Sequence, residues 1–349
     1  MVCILLFGAA LVVDHGFLIV SKSRLQNAAD AAAFAGLDVL LNPQRLISES
    51  EASRIVKEAE AEVARVLQEN WPSDCTFDPG TDCEIQIGRL DQGTSVESCI
   101  AKDCNAVSVR IRTTDTPLFF AGALNYQRNL VTARCIASFQ DALKEIRPSS
   151  SHNAPVLPIA VSVEVWDALL NGEGPDEYEW DAQDDAVSRG SDSLPECQAF
   201  TGSRNAAGNF ATLNIGRTSN GIPELTDQIR NGLSQQHLVK FGGNLELDPQ
   251  TQSLQLSGDP GLGGPVYDAV ADLIGQVRII PLFRSVSGSG ANAEYEIVRF
   301  AAGRIISAKK TGNDRHVTFQ PATLADPTVI TGPGGTRSYG IVSSPRLAL

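Results

Sequence analysis

The most continuous hydrophobic stretch of the sequence lies at its start, in residues 2–20 (VCILLFGAALVVDHGFLIV). Folded as an α-helix, this stretch reaches ~28 Å, close to the thickness of the hydrocarbon core of a bilayer. Asp14 and His15 interrupt it, and an ionisable side chain at that depth is usually paired or near an interface. The pattern predicts a transmembrane helix; the alternative is a buried helix of a soluble domain.

The helix is predicted to continue beyond the apolar stretch. Residues 21–41 are rich in alanine and contain no proline, a composition that favours helix. Asn42 and Pro43 follow, and proline cannot continue the hydrogen-bond ladder of a helix. We therefore expect one helix over residues 1–41. It has neither the basic n-region nor the small-residue cleavage site of a signal peptide.

Periodic patterns after this helix predict a compact α+β region. Residues 48–70 place apolar side chains at helical spacing, opposite a charged face. Residues 84–90, 106–112 and 130–139 show strand-like patterns, of which VSVRIRT alternates most clearly. A long helix, a second helix and a small antiparallel sheet are similar to the architecture of pilin-like proteins.

The remaining sequence predicts a second, β-rich region with short helices between glycine-rich turns. The fold class is α+β, and its predicted parts are an extended N-terminal membrane helix (1–41), an α+β pilin-like region (42–147), a linker rich in Ser and Pro (148–158), a β-rich extracytoplasmic domain (159–320) and a poorly ordered tail (321–349).

Seven cysteines bear on the compartment. Cys3 lies in the apolar stretch, and the other six are an even set. Closely spaced cysteines in even number indicate disulfides in an oxidising compartment. Zinc and free thiols are the competing interpretations, but only one spacing, C-x4-C, approaches a zinc knuckle. The disulfide candidates are Cys75, Cys83, Cys99, Cys104, Cys135 and Cys197.

Charge gives two further constraints. The formal net charge of −13 argues against nucleic acid and anionic lipid surfaces as partners, because both require a basic surface. Lys22 and Arg24 follow the apolar stretch, and the positive-inside rule would place the body in the cytoplasm. The cysteines place it outside, and we give them more weight.

A family resemblance rests on residues 8–36. Val13-Asp14-His15-Gly16 is followed by Arg24-Leu25-Gln26-Asn27-Ala28-Ala29-Asp30-Ala31-Ala32-Ala33. This order resembles the N-terminal region of TadG-like proteins, in the TadE/TadG group of tight-adherence (Flp) pilus assembly. Two motifs of related proteins are absent from the sequence: the Asp-x-Ser-x-Ser metal site and the leader cut by a prepilin peptidase.

The resemblance implies a structural component of the pilus-assembly or secretion machinery, anchored as a single-pass protein in the bacterial inner membrane. Its body would lie in the periplasm or cell exterior, and its partners would be other pilus-assembly or secretion-system proteins. Small residues on a helix allow close approach of a second helix; the alternative is a plain tether. The expected interaction helix comprises Asp14, Gly16, Leu25, Gln26, Asn27, Ala28, Ala29, Asp30 and Ala32.

Catalytic motifs are not found in the sequence. Its four histidines lie in no H-E-x-x-H pattern, and no G-x-S-x-G elbow occurs. We expect neither an enzyme nor a cofactor. The acidic loop 171–185 raises the question of calcium, but its spacing departs from the D-x-D-x-D-G pattern and favours a solvated loop. The alternative function is a cell-surface adhesin or ligand-binding module using loops 171–185 and 285–293.

Overall fold

The computed structural model describes residues 2–72, 77–120, 128–200, 209–216, 221–259, 261–289, 293–310 and 315–348. In these residues the α-helices are α1 (Val2–Leu40), α2 (Glu49–Asn70), α3 (Pro79–Asp82), α4 (Val163–Leu170), α5 (Ile222–Asn231) and α6 (Gly264–Ala271). The strands are β1 (Cys83–Gly88), β2 (Ala106–Pro117), β3 (Arg128–Ser138), β4 (Ala142–Ile146), β5 (Ile159–Ser162), β6 (Tyr178–Asp181), β7 (Ala186–Arg189), β8 (Cys197–Ala199), β9 (Phe210–Leu213), β10 (Leu245–Glu246), β11 (Leu254–Asp259), β12 (Val277–Ser287), β13 (Ala293–Lys309), β14 (His316–Pro321), β15 (Leu324–Ala325), β16 (Val329–Thr331), β17 (Thr336–Arg337), β18 (Ile341–Val342) and β19 (Arg346–Ala348).

Helix α1 is a single helix of 39 residues, as the alanine-rich sequence predicts. It ends where Asn42 and Pro43 begin a short 3-10 turn, in which the Asn42 side chain accepts a hydrogen bond from the backbone nitrogen of Gln44 at 3.0 Å. The next helix, α2, is also confirmed. Its first turn is capped by Ser48, whose hydroxyl accepts a hydrogen bond from the backbone nitrogen of Glu51 at 3.1 Å.

The chain divides into two compact units, which are described separately. Unit 1 comprises Met1–Leu41, Ser53–Phe139 and Pro345–Leu349, and unit 2 comprises Asn42–Ala52 and Gln140–Ser344.

Unit 1 contains a four-stranded antiparallel sheet in the order β1-β2-β3-β19. The alternation in VSVRIRT determines its two faces: Val107, Val109 and Ile111 are fully buried, and Arg110 and Arg112 are exposed. Helices α1 and α2 supply the other apolar faces of this unit. On α2 the buried stripe Ile55, Ala59, Val63 and Leu67 has the helical spacing expected from the sequence.

Unit 2 is built around a seven-stranded sheet in the order β11-β9-β5-β12-β13-β14-β8. Only the β5–β12 pairing within this sheet is parallel. Each face carries an apolar core, and neighbouring strand residues alternate between the two cores: Ile280 and Ala301 belong to one, Ile279 and Phe300 to the other.

Two segments differ from their predicted character. The segment 148–158, which has the composition of a linker, is packed within unit 2, where Ala154, Val156 and Leu157 are 0–1% exposed. Strands β15 to β19 lie in residues 321–349, where composition predicted poor order. Backbone pairing explains the second difference, because β16 and β17 pair with β4 and β19 pairs with β3.

Among the residues whose side chains are described, no helix combines the length and apolarity needed to cross a membrane. The prediction of a transmembrane helix therefore finds no support in the structure. Within α1 the side chains of residues 2–7 and 9 lie outside the described part, and from residue 10 onward Asp14, His15, Lys22 and Arg24 interrupt the apolar sequence.

Candidate functional site

The second half of α1 is packed into unit 1. Its buried residues recur at intervals of three or four and face β2, β3 and α2. They are Leu25, Ala28, Ala29, Ala32, Ala33, Leu37 and Leu40, each 0–2% exposed. This face therefore belongs to the internal packing of the unit.

Gly36 lies where α1 packs tightly against α2. A Cβ atom at this position would lie 2.4 Å from Cγ2 of Val63 and 3.3 Å from the carbonyl oxygen of Ala59. The first distance is far inside van der Waals contact, so only glycine lets the two helices cross here.

This packing corrects the role predicted for the small residues of α1. Ala28, Ala29 and Ala32 were expected to receive a helix from another protein, but they lie against the chain's own sheet. Alanine permits close backbone approach whether the opposite element is a helix of another protein or a sheet of the same chain, so the pattern alone does not distinguish them. Leu25 is buried with them, and Asn27 is exposed.

The polar members of the predicted interaction helix bind α1 to the sheet. Gln26 Nε2 donates to Asp30 Oδ1 at 2.8 Å and to the backbone oxygen of Arg134 at 2.9 Å. Asp30 in turn accepts a hydrogen bond from the Cys135 thiol. Burial, followed by this bond and the charge of Asp30, raises the pKa of Cys135 to about 12.

Asp14 is buried, with 4% of its surface exposed, although it lies on the exposed half of α1. Its Oδ1 accepts hydrogen bonds from the backbone nitrogens of Phe119 at 2.8 Å and Phe120 at 3.1 Å, and its Oδ2 accepts from Phe120 at 3.1 Å. The Phe17 and Phe119 rings add an edge-to-face contact with centroids 5.0 Å apart. The pairing expected for an ionisable residue in this stretch is therefore present.

The first half of α1 exposes large apolar side chains. We call these residues, together with the two phenylalanines bound to Asp14, the α1 apolar surface. Its members and exposed fractions are Leu11 49%, Val12 71%, Val13 50%, Ile19 57%, Val20 47%, Phe119 61% and Phe120 51%.

Two glycines on this half of the helix make no close packing contact with any described residue. A Cβ atom at Gly8 or at Gly16 would meet nothing within 4 Å. The two glycines are eight residues apart, Val12 lies midway between them, and all three share one face of α1. Glycine lowers helix stability by about 1 kcal/mol relative to alanine, and no contact in the described residues uses the space that it leaves.

The cysteines are in the thiol form wherever they are described: Cys83, Cys99, Cys104, Cys135 and Cys197. Cys75 lies outside the described residues. Cys83 and Cys135 are on β1 and β3, on opposite sides of β2. Two strand spacings separate their backbones by about 9–10 Å, beyond the reach of a disulfide. Cys99 and Cys104 are close, with their Sγ atoms 3.2 Å apart.

The acidic loop 171–185 includes β6, which pairs with β7 directly after the loop, and carboxylates nearby bind the chain's own polar groups. Asp176 accepts hydrogen bonds from the Ser191 hydroxyl at 2.6 Å and the Ser193 nitrogen at 3.0 Å. Buried Glu196 accepts from the backbone nitrogens of Glu177 and Tyr178. No group of three or more metal-ligating side chains forms among the described residues. In the loop 285–293, residues 290–292 lie outside the described part, so its proposed ligand binding stays a prediction.

Sequence patterns missed two arrangements. The partner of Asp14 is a loop 105 residues away, and the only sequence signal is the apolar run Leu118-Phe119-Phe120 directly after a strand. The second arrangement is the proximity of Cys99 and Cys104. Their short spacing in the sequence is compatible with it, but six candidate cysteines allow many pairings and the sequence did not select this one.

Comparison with known protein families finds a match to the N-terminal region. The family described as putative Flp pilus-assembly TadE/G-like matches residues 1–39, which confirms the resemblance of the N-terminal region. Neither the curated proteins nor the solved structures contain a significant match to the chain.

Proposed function

We propose that this protein is a non-enzymatic component of Flp/Tad-type pilus assembly or its secretion machinery and acts through protein–protein contacts. The observation that carries the proposal is the division of α1. Its second half is buried in unit 1, while its first half presents the α1 apolar surface. Exposed apolar patches of this kind mark protein or membrane contacts. The family match over residues 1–39 supports pilus assembly as the setting.

The face formed by Gly8, Val12 and Gly16 favours a helix of another protein as the partner. Both glycines open onto space that no described residue fills, and Val12 is the most exposed of the large hydrophobic residues described on α1. Gly8 and Gly16 leave space on either side of Val12, and small residues on a helix face let a second helix approach closely.

We further propose that the first half of α1 attaches the protein to the bacterial inner membrane, with its body in the periplasm or cell exterior. The backbone N–H groups of Phe119 and Phe120 satisfy the Asp14 carboxylate, which reduces the cost of placing this charge among apolar groups. The exposed Phe119 and Phe120 rings extend the apolar surface beyond the helix itself.

A site-specific cross-link tests the partner contact. A photo-reactive benzophenone amino acid replaces Val12 in cells that carry the pilus-assembly genes and in cells that lack them. We expect a cross-linked protein adduct only in the first. Val239 is the matched control, since it is also an exposed valine (65%, against 71% for Val12) but lies in unit 2; no adduct of the same mass is expected there.

Gly16→Leu separates a contact from a folding defect. Because a Cβ atom at Gly16 meets nothing within 4 Å, the variant is expected to fold normally and to lower the yield of the Val12 adduct about tenfold. Cross-links from Val12 to lipid alone would support membrane attachment and contradict the protein contact. A Val12 adduct that persists without the pilus-assembly genes would contradict the assignment to pilus assembly.

A further inference from the structure

Cys99 and Cys104 lie at the two ends of a tightly wound loop in unit 1. The segment Ala101–Asp103 between them forms a 3-10 turn. Hydrogen bonds from the Asp103 nitrogen to the Ile100 oxygen (2.9 Å) and from the Cys104 nitrogen to the Ala101 oxygen (3.3 Å) hold this turn. The turn brings the two Sγ atoms to 3.2 Å. A disulfide requires about 2.05 Å, so an approach of about 1 Å is enough to form the bond.

The two thiols differ in how firmly they are held. Cys104 is 4% exposed and precedes Asn105, which is fully buried. The Asn105 side chain accepts a hydrogen bond from the Leu90 nitrogen at 2.7 Å, and its backbone oxygen accepts one from the Phe139 nitrogen at 3.0 Å. Cys99 lies on the loop itself and is partly exposed. Cys99 is therefore the accessible thiol and Cys104 the anchored one.

The other described thiols are poorly suited to exchange. Burial raises the pKa of Cys83 to about 11, and that of Cys197 to about 12. Cys135 is similar, with burial and Asp30 raising its pKa to about 12. A thiol must lose its proton to act as a nucleophile, so these three react slowly near neutral pH.

We propose that Cys99 and Cys104 are a redox-active dithiol, which oxidises to an intramolecular disulfide by exchange with a disulfide-bearing thiol oxidant. The thiolate of Cys99 attacks one sulfur of the oxidant, forming a mixed disulfide and releasing the first oxidant thiol. The thiolate of Cys104 then attacks Cys99 Sγ and releases the second. The two cysteines lose two protons and two electrons, and one oxidant disulfide becomes two thiols.

Oxidation would fix the loop that presents Ile100. This side chain lies between the two cysteines and is 60% exposed. A covalent ring over residues 99–104 restricts its positions, and reduction releases them. This site is independent of the proposed function, because it requires neither a pilus partner nor a membrane.

The test uses the purified full chain in mixtures of reduced and oxidised glutathione, followed by acid quenching, alkylation and tryptic mass spectrometry. Lys102 lies between the two cysteines, so trypsin converts a closed ring into two peptides, 90–102 and 103–110, joined by the disulfide. We expect this linked pair, lighter by two hydrogens than the two free peptides. We also expect alkylation of both cysteines to fall together about tenfold as the oxidant ratio rises.

Single variants test the order of attack. In Cys104→Ser, Cys99 should remain trapped as a mixed disulfide with glutathione, whereas Cys135→Ser and Cys197→Ser should leave the linked peptides unchanged. A linkage of Cys99 or Cys104 to Cys75 or Cys83, or full alkylation of both in oxidised glutathione alone, would overturn the proposal. The wild-type peptide map decides it even if a variant does not fold.

Discussion

The Asp14 carboxylate and the backbone nitrogen of Phe119, 105 residues apart in sequence, are joined by a hydrogen bond of 2.8 Å. The bond connects the exposed half of α1 to the loop that follows β2. The same carboxylate also accepts a hydrogen bond from the backbone nitrogen of Phe120. Bonds from backbone N–H groups to an ionised carboxylate are stronger than those between neutral groups.

Asp14→Leu is expected to free the loop at Phe119. The substitution leaves two backbone donors without this acceptor, which costs about 1–3 kcal/mol. Amide hydrogen exchange at Phe119 and Phe120 should accelerate by about 5- to 150-fold, the range that this cost implies. Asp14→Asn keeps an oxygen acceptor and should show a smaller effect. Equal exchange rates in wild type and Asp14→Leu would mean that the carboxylate does not hold the loop.

Gly36 and Gly16 form a matched pair within one helix. Gly36→Ala places a Cβ atom 2.4 Å from Val63 Cγ2, and overpacking of this kind costs about 1–3 kcal/mol. Gly16→Ala meets nothing within 4 Å and should stabilise α1 by up to about 1 kcal/mol through helix propensity. Urea unfolding of both variants measures the difference.

The double variant Gly36→Ala/Val63→Ala isolates the contact. Removing Cγ2 of Val63 should restore part of the stability lost in Gly36→Ala, with a coupling free energy above about 0.5 kcal/mol. Strict additivity of the two single substitutions would show that the helices do not meet at these residues.

Tyr339 in unit 2 should make stability depend on pH in the alkaline range. Its hydroxyl donates to Asp167 Oδ1 at 2.7 Å and accepts from Arg299. Burial, with the bond to Asp167 next, raises its pKa from 10 to about 12. The folded state therefore keeps the proton longer than the unfolded chain, and this stabilisation is complete below pH 10 and lost as the pH rises to about 12.

Tyr339→Phe should accordingly be less stable than wild type by about 1–3 kcal/mol below pH 10, and the difference should shrink between pH 10 and 12. Chemical unfolding at a series of pH values measures it. A difference that stays constant over this range would show that Tyr339 is not protected from ionisation in the folded protein.

Glu196 should make the free energy of unfolding depend on pH in the acidic range. Burial raises its pKa above 4.5, and the charges of Asp176 and Asp192 act in the same direction. The folded state thus favours the protonated carboxyl, and the associated stability is lost as the pH rises through the folded pKa. The stability of Glu196→Gln relative to wild type should therefore increase as the pH rises from below 4.5 to neutral, as chemical unfolding at a series of pH values would measure. A stability difference that decreases over this range would contradict a raised pKa for Glu196 in the folded protein.

Local patterns were sufficient to predict α1, α2 and the strands β1 to β3 of unit 1, but not β19. The alanine-rich run and the Asn42-Pro43 stop define α1, and the alternation of VSVRIRT defines β2. These features depend on neighbouring residues only, through helix propensity and the two-residue repeat of a strand. The α+β class follows from them.

Partners distant in sequence could not be predicted in the same way. Ala28 and Ala32 permit close approach, but the pattern does not distinguish a sheet of the same chain from a helix of another protein. Nor does the sequence around Asp14 reveal that its acceptor atoms are used by Phe119. In the structure Asp14 binds a loop of the chain itself and the alanines serve the internal packing, while the contact of the predicted interaction helix with a partner stays a prediction.

The pairing of β19 with β3 has a consequence for biosynthesis. Ser138 pairs with Arg346, and all of residues 140–344 lie between these partners in the chain. At 5–20 residues per second, a ribosome needs roughly 10–40 s to make about 200 residues. During that interval the edge of β3 has no β19 to cover it, and an uncovered edge is open to pairing with other strands. A nascent chain of this protein thus depends on the rapid folding of the intervening residues, or on a chaperone, to keep that edge from a foreign strand.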